Sequence, residues 1–186
     1  MEKEILSQIN LYYGQVKMPK GFEIDSKSLS DNILQNGIKN LFYKILKSDY
    51  KYPSNNVLQS SFKKTEFLFS KAWDMLCTYI MEYMHVDNKL IVEKRDTWGD
   101  MYAPDEKSEI LHDIKNNSNY VLLYGVKVDN CLVKLFFKDN EDKERIWNIP
   151  LINNKFIMFP SNVKYQIINN QTNNFNIIQT ITYDSI

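Results

Sequence analysis

Lys155–Ile167 reads KFIMFPSNVKYQI, and the fold of the chain is best deduced from this stretch. After its first lysine, Lys155–Phe159 is wholly apolar, which is typical of a buried strand. Pro160 and Ser161 then interrupt the run with residues that favour turns. Val163–Ile168 resumes a strand-like pattern. The stretch therefore predicts two strands joined by a tight Phe-Pro-Ser turn.

Similar short strands follow one another through the second half of the chain. Turn residues separate them about every eight to twelve positions, which is typical of a β sandwich or barrel. Val128–Cys131 carries an Asp-Asn pair that predicts a tight hairpin. Besides the two strands above, the predicted strands are Lys89–Val92, Thr97–Ala103, Tyr120–Val128, Cys131–Lys138, Glu144–Ile149 and Phe175–Tyr183.

The first half of the chain has a different texture. We expect a short strand or arm within the first 25 residues, followed by a helix over Ser26–Lys47 with apolar residues at helical spacing. A second helix is predicted from about Lys64 to about His85. The predicted fold class is α+β, with N-terminal helices packed on a C-terminal β core. We expect a single domain over 1–186, with the arm and both helices in 1–88 and the β core in 89–186.

Composition limits the function classes. The formal net charge is zero, so no overall field favours nucleic acid. The N-terminus, MEKEILSQIN, has no apolar run of signal-peptide length, and no stretch is long and apolar enough for a membrane helix. Cys77 and Cys131 lie in apolar runs and are predicted to be core thiols. We therefore expect no secretion, no membrane partner and no nucleic-acid partner.

Two sets of side chains have both a structural and a functional interpretation. Trp98 and Trp147 lie in strand-like segments and could line either the interior of the β core or an interaction face, and the core is the expected place for both. The acidic residues around His112 could bind a cation, but a solvated loop is the more common outcome. These acidic residues are Asp100, Asp105, Glu106, Glu109 and Asp113.

The order of these elements resembles that of the small phage-type 2-oxoglutarate/Fe(II)-dependent oxygenases. The core of that family is a double-stranded β-helix, or jelly roll, and the resemblance implies the same core here. The match covers most of the chain, and its strength lies in the order of the motifs. They are the early helix Ser26–Lys47, Asn55–Ser60, the second helix, Trp98–Tyr102, His112, Tyr120–Val126, the strand-turn-strand stretch Lys155–Ile167, and Ile177–Asp184.

The resemblance implies where iron ligands would stand. The family uses two histidines and a carboxylate, with the first histidine and the acid two residues apart on one face of the chain. Here His112 is followed at once by Asp113, so the acid would point away. After the Phe-Pro-Ser turn, Lys164 and Tyr165 stand in place of the distal histidine. We predict a vestigial pocket of these four residues, with no catalytic residue and no metal site.

The cosubstrate anchor is also absent from the sequence pattern. The family pairs 2-oxoglutarate with a basic residue on its closing strand, whereas Phe175–Tyr183 contains none. We therefore predict that the protein uses no cofactor. The alternative is an active hydroxylase that binds Fe(II) and 2-oxoglutarate through His112, Asp113 and a third, unassigned ligand.

The predicted function follows from the oxygenase-like fold together with the missing metal ligands and cosubstrate anchor. We expect a non-catalytic, oxygenase-like jelly roll that acts through protein–protein contacts in a phage particle, at a neck, tail or capsid-associated position, or in its assembly. The expected partners are other virion or assembly proteins, with self-association left open, and the expected location is the virion or host cytoplasm. The free edge of the β core and the N-terminal arm are candidate contact surfaces. A small-ligand binding protein, with a pocket near His112 and Tyr165, is a third hypothesis.

Overall fold

The fold is seen in a computed structural model that describes residues 9–15, 31, 35, 65–66, 78, 81, 91–111, 118–139, 141–169 and 175–186. The strands predicted beyond residue 118 are all present, and one has the predicted bounds. The strands are β1 (Tyr12–Gln15), β2 (Thr65–Glu66), β3 (Val92–Tyr102), β4 (Tyr120–Lys127), β5 (Cys131–Lys138), β6 (Glu144–Leu151), β7 (Lys155–Pro160), β8 (Lys164–Asn169) and β9 (Asn176–Ser185).

These strands form two antiparallel sheets. The larger sheet has six strands in the order β1-β7-β4-β9-β3-β2, and the smaller has three in the order β6-β5-β8. From β4 onward the chain passes repeatedly between the sheets, so that β4, β7 and β9 lie in the larger sheet while β5, β6 and β8 lie in the smaller. The segment between β3 and β4 adds bridges to β8 at Lys107 and Leu111. This is a jelly roll, as predicted.

The hydrophobic core lies between the two sheets. Leu123 and Ile178 of the larger sheet are fully buried in one cluster with Val133 and Ile167 of the smaller sheet. Each side chain of this size contributes about 1.5–3 kcal/mol when it leaves water. Because strand residues alternate between faces, every second residue of these strands points inward, and these inward side chains form the core that holds the sheets together.

Tight turns link the strands at the predicted places. Asn130 has φ 48° in the turn that leads from β4 to β5 of the other sheet, Asp142 has φ 59° between β5 and β6, and Asn154 has φ 61° between β6 and β7. Asn and Asp tolerate this left-handed conformation better than other residues with a side chain. The predicted tight turn at Val128–Cys131 is present, but the hairpin prediction is wrong, because β4 pairs with β7 and β9 whereas β5 pairs with β6 and β8 of the other sheet.

The predicted helical half of the fold class is wrong for the described residues, which are nearly all strand. Thr65–Glu66, placed at the start of the second helix, forms β2 and pairs with Gly99 and Trp98 of β3. Open backbone groups at the edge of β3 thus outweigh local helical periodicity, which tertiary context often overrides. Residues 31, 35, 78 and 81 have helical backbone geometry, but as isolated described residues they do not give the start or end of a helix. The rest of both predicted helices, with Cys77 and His85, lies outside the described residues.

Strands from the first half of the chain belong to the same sheet as those from the second half. β1 pairs with β7, and β2 pairs with β3. On β9, Ile177, Gln179, Ile181 and Tyr183 are as buried as the inward-facing residues between them, so both faces of this strand are covered. No helix in the described part of the chain is long and apolar enough to cross a membrane.

Candidate functional site

Lys164 and Tyr165 begin β8, directly after the Phe-Pro-Ser turn. As neighbours on a strand they face opposite sides of the sheet. Tyr165 is 4% exposed and points into the core between the sheets, whereas Lys164 is exposed on the outer face. The structure therefore does not bring these two residues of the predicted pocket together. The strand period alone could have shown this.

Tyr165 is held from two directions. Its ring packs edge to face on Phe159 of β7, with ring centroids 5.2 Å apart. Its backbone forms two hydrogen bonds with Leu111: the Leu111 amide donates to the Tyr165 carbonyl at 2.7 Å, and the Tyr165 amide donates to the Leu111 carbonyl at 3.0 Å. Tyr165 thus joins the two sheets at the place where the resemblance puts the distal histidine.

The other two predicted pocket residues, His112 and Asp113, lie outside the described residues. Leu111 immediately precedes them in the chain. Because Leu111 is bonded to Tyr165, the described structure carries the chain up to the position that the resemblance assigns to the first metal ligand. The sequence separation between Leu111 and Tyr165 made this pairing invisible to pattern analysis.

A second buried tyrosine lies near Tyr165. Tyr102, at the end of β3, is 2% exposed and belongs to the same core cluster. Burial raises the pKa of the Tyr102 phenol well above its usual value, and the Asp100 carboxylate and the Tyr165 phenol raise it further. The Tyr102 hydroxyl is therefore a neutral hydrogen-bonding group at physiological pH and is not poised to act as a base.

Two buried asparagines, which the sequence analysis missed, close the β4–β5 end of the barrel. Asn169 donates from Nδ2 to the carbonyl oxygens of Tyr102 at 3.1 Å and Ala103 at 2.8 Å. Asn176 donates from Nδ2 to Asn169 Oδ1 at 2.9 Å, and its own Oδ1 accepts from the Asp129 amide at 2.9 Å. The signal in the sequence was a polar residue at an inward strand position.

Asn169 ends β8, and Asn176 begins β9, the closing strand, which in the family carries the basic anchor for the cosubstrate. Asn169 is 1% exposed and Asn176 is fully buried. Their amide groups bond to each other and to backbone groups of the loops around them. A buried polar network of this kind is stable because its members satisfy one another. Its contacts in the structure are those of a structural plug.

The remaining sequence candidates have mixed outcomes. Cys131 is a buried core thiol, as predicted, and burial raises its pKa to about 12. Trp147 is half exposed, so the prediction that it lies in the core is wrong. Asp100 is buried and accepts a hydrogen bond from Trp98 Nε1 at 3.0 Å. The prediction that the acidic residues lie in a solvated loop is therefore wrong for Asp100. Glu106 Oε2 accepts from the Ala103 amide at 2.6 Å.

Comparisons with known proteins show which class of proteins shares this fold. No family model matches the sequence, and no curated protein matches it. Solved structures do match. AviO1 from Streptomyces viridochromogenes Tue57 has a TM-score of 0.59 at 10% identity, over 95% of this chain and 90% of that chain.

Two further matches belong to enzymes. The non-heme, α-ketoglutarate-dependent carbocyclase SnoK from nogalamycin biosynthesis has a TM-score of 0.54 at 5% identity, over 93% of this chain and 78% of that chain. A prolyl-4-hydroxylase from Pseudomonas putida has a TM-score of 0.51 at 9% identity, over 94% of this chain and 92% of that chain.

The structural neighbours are thus 2-oxoglutarate/Fe(II) oxygenases with a double-stranded β-helix, and the chain has an oxygenase-like fold. At these identities the similarity shows the fold. It also contradicts the prediction that no cofactor is involved, because proteins that share the fold use Fe(II) and 2-oxoglutarate. That prediction depended on three features of the sequence: the spacing of His112 and Asp113, which lie outside the described residues, Lys164 and Tyr165 in place of the distal histidine, and a closing strand without a basic residue.

The fit to iron can be tested on the described residues alone. Among them, no three His, Cys, Asp or Glu side chains come together as a metal site. The inward position at the start of β8, where the resemblance expects a histidine, holds the buried Tyr165. The described donors therefore do not by themselves fit an iron centre, and an iron site would require residues such as His112 and Asp113.

Proposed function

We propose that this protein is a non-catalytic, oxygenase-like jelly roll that serves as a structural or assembly component of a phage particle through protein–protein contacts. The observation that carries the proposal is Tyr165. Its aromatic ring is buried in the core, packed against Phe159, at the place where the oxygenase frame would need an imidazole. The buried asparagines Asn169 and Asn176 support the same conclusion at the other end of the barrel.

The phage assignment follows from the resemblance to phage-type members of the oxygenase family. A neck, tail or capsid-associated position in the virion, or a role in the host cytoplasm during assembly, is compatible with an oxygenase-like frame that acts as a scaffold. The exposed aromatic and aliphatic residues of β6, Ile146 and Trp147, support a function through contacts, since exposed apolar groups on a strand are common at protein interfaces.

Turnover of 2-oxoglutarate tests the non-catalytic part. The purified protein, reconstituted anaerobically with Fe(II) and then exposed to oxygen with 2-oxoglutarate, is expected to release no succinate above the protein-free background. A Tyr165→His variant, assayed beside it, restores the imidazole at the position in question. Succinate release by the unmodified protein, in proportion to its concentration, would overturn the proposal.

The particle role needs its own measurement. Virions and assembly intermediates of the encoding phage, separated on a density gradient, are expected to contain the chain at a constant ratio to the major particle proteins. If the chain sediments only as free protein, while other particle proteins are recovered in the particle fractions, the structural role is contradicted.

A second candidate function is an active Fe(II)/2-oxoglutarate-dependent hydroxylase with an atypical metal site. The observation that favours it is the pairing of Leu111 with Tyr165, because Leu111 immediately precedes His112 in the chain. In this alternative, His112 and Asp113 would hold the metal, which would supply oxygen activation when bound. Loss of succinate release in a His112→Ala variant of an active protein would establish it.

A further inference from the structure

β6 carries an exposed run that the jelly roll does not use. It is the outermost strand of the three-stranded sheet among the described residues, and its first five residues, Glu144–Asn148, are all exposed. Ile146 is 58% exposed on the outer face, and Trp147 is 50% exposed on the inner face. An edge strand with apolar side chains on both faces invites pairing with another strand.

The backbone of β6 has open hydrogen-bonding groups on a defined set of residues. The Asp139 amide donates to the Lys143 carbonyl at 2.9 Å, so odd-numbered positions of β6 direct their backbone groups toward β5. In an antiparallel ladder the direction alternates. Glu144, Ile146 and Asn148 therefore present their amide and carbonyl groups to the open edge of the sheet.

Pro150 marks the end of this open edge. It has no amide hydrogen, and proline in a sheet is found where no ladder bond is needed. It is also even-numbered, in agreement with the outward direction of these positions. Its carbonyl accepts a hydrogen bond from Lys155 Nζ at 3.0 Å. An added strand can therefore pair with Glu144–Asn148 and no further along β6.

The sequence of this edge is complementary to itself. If Ile146 lies opposite Ile146 of a second copy in antiparallel orientation, Glu144 faces the partner's Asn148 and Arg145 faces the partner's Trp147. Even-numbered residues then pair with even-numbered residues, so the amide and carbonyl groups at the open edge of one copy face those at the open edge of the other. No like charges stand opposite each other, and a guanidinium over an indole ring is an attractive cation–π arrangement.

We propose that the protein forms a two-fold symmetric homodimer through antiparallel pairing of β6 with β6 of a second copy, centred on Ile146. The two three-stranded sheets join into one continuous sheet. Ile146 and its symmetry mate cover each other on the outer face, and Arg145 covers the partner's Trp147 on the inner face. The dimer does not depend on whether the protein is catalytic, so its test is separate from the tests of the proposed function.

The oligomeric state of the full chain tests the dimer directly. Light scattering after gel filtration, over a range of protein concentrations, is expected to give twice the chain mass for the unmodified protein. Asn148→Pro removes an amide that points to the open edge and leaves the bonds to β5 intact. Ile146→Lys places two positive charges opposite each other. Both variants are expected to give the chain mass, with circular dichroism unchanged.

A matched control uses Lys164→Ala, which removes an exposed side chain from β8, the strand at the opposite edge of the same sheet. It is expected to remain a dimer. A monomer for the unmodified protein at all concentrations would overturn the proposal, and so would a dimer that survives both Asn148→Pro and Ile146→Lys. An edge occupied by a different protein would appear as the first of these outcomes.

Cysteine cross-linking tests the register. Residues in a hydrogen-bonded antiparallel pair have Cα atoms about 5.5 Å apart, within the range that a disulfide can span. Because residue 146 faces its own copy in this register, Ile146→Cys is expected under mild oxidation to give more covalent dimer than Trp147→Cys, which faces the partner's Arg145. The unmodified protein controls for Cys77 and Cys131. Equal yields at both positions, or none at position 146, would overturn this register.

Discussion

Lys164 and Tyr165 are adjacent in the chain, but their side chains have different surroundings. The Lys164 side chain is exposed on the outer face of the three-stranded sheet, while the Tyr165 ring is buried between the sheets. A residue that a family comparison would list in a lost active site is here part of the hydrophobic core. Its contribution to stability can therefore be separated from any contribution to chemistry.

Replacing Tyr165 with alanine is expected to destabilise the protein strongly. The change removes a buried ring that contacts Phe159, and truncation of a buried aromatic side chain costs about 3–5 kcal/mol. The free energy of unfolding, measured by urea denaturation, would report the loss. Lys164→Ala on the same strand is the control and should change it by roughly 0.5 kcal/mol or less. Equal effects of the two changes would contradict the assigned faces.

The connection from β6 to β7 packs closely against β4. A Cβ atom at Gly125 of β4 would lie 2.3 Å from the Ile152 carbonyl oxygen of that turn. The Gly125 carbonyl also accepts a hydrogen bond from the Asn154 amide at 2.9 Å. The turn is thus packed directly on the backbone of β4, and only glycine allows this approach.

Gly125→Ala is expected to push the turn away from β4. Overpacking of this kind costs about 1–3 kcal/mol, and we expect the upper end because both clashing atoms belong to backbone. Gly14→Ala in β1 is the matched control, since its Cβ would meet only the ring of Phe156 at 3.0 Å. Thermal unfolding of both variants is the measurement. A larger loss for Gly14→Ala than for Gly125→Ala would refute the argument.

At the level of elements, sequence patterns located the β core well. β5 has its predicted bounds because an alternating apolar run between two Asx turns has few other solutions. The start of the second predicted helix failed because β2 forms by pairing with β3, a partner distant in sequence. The core position predicted for Trp147 failed because hydrophobicity does not reveal that β6 is an edge strand. Of the predicted pocket, the strand position of Tyr165 was readable, but its bonds to Leu111 were not.

The molecule as a whole buries several tyrosines, and this ties its stability to alkaline pH. Burial raises the pKa of Tyr124 far above its usual value, and that of Tyr102 is raised by burial and by Asp100. In the unfolded chain a tyrosine ionises near pH 10. The unfolded state therefore loses these protons first. Stability from this source is full below about pH 10 and falls as the pH rises above it.

Tyr124→Phe isolates one of these contributions. The unmodified protein is expected to lose about 1.4 kcal/mol per pH unit above pH 10 for each buried phenol. The variant removes one phenol, so its urea unfolding free energy should fall less steeply with pH. It also loses the hydrogen bond from the Tyr124 hydroxyl to Asn154 Oδ1 at 2.8 Å, which lowers stability at every pH. Parallel pH curves for the two proteins would contradict the prediction.

The segment between β3 and β4 has a consequence for assembly. Its residues Glu106, Ser108 and Leu111 form backbone hydrogen bonds with the edge of β8 that faces away from β5. They therefore occupy the backbone groups through which another strand would extend the three-stranded sheet in that direction. Within the described residues, this sheet can grow only at β6. A two-fold contact there uses the same edge of both copies and leaves no free edge on either. Assembly through this sheet therefore stops at two copies and cannot propagate into a filament.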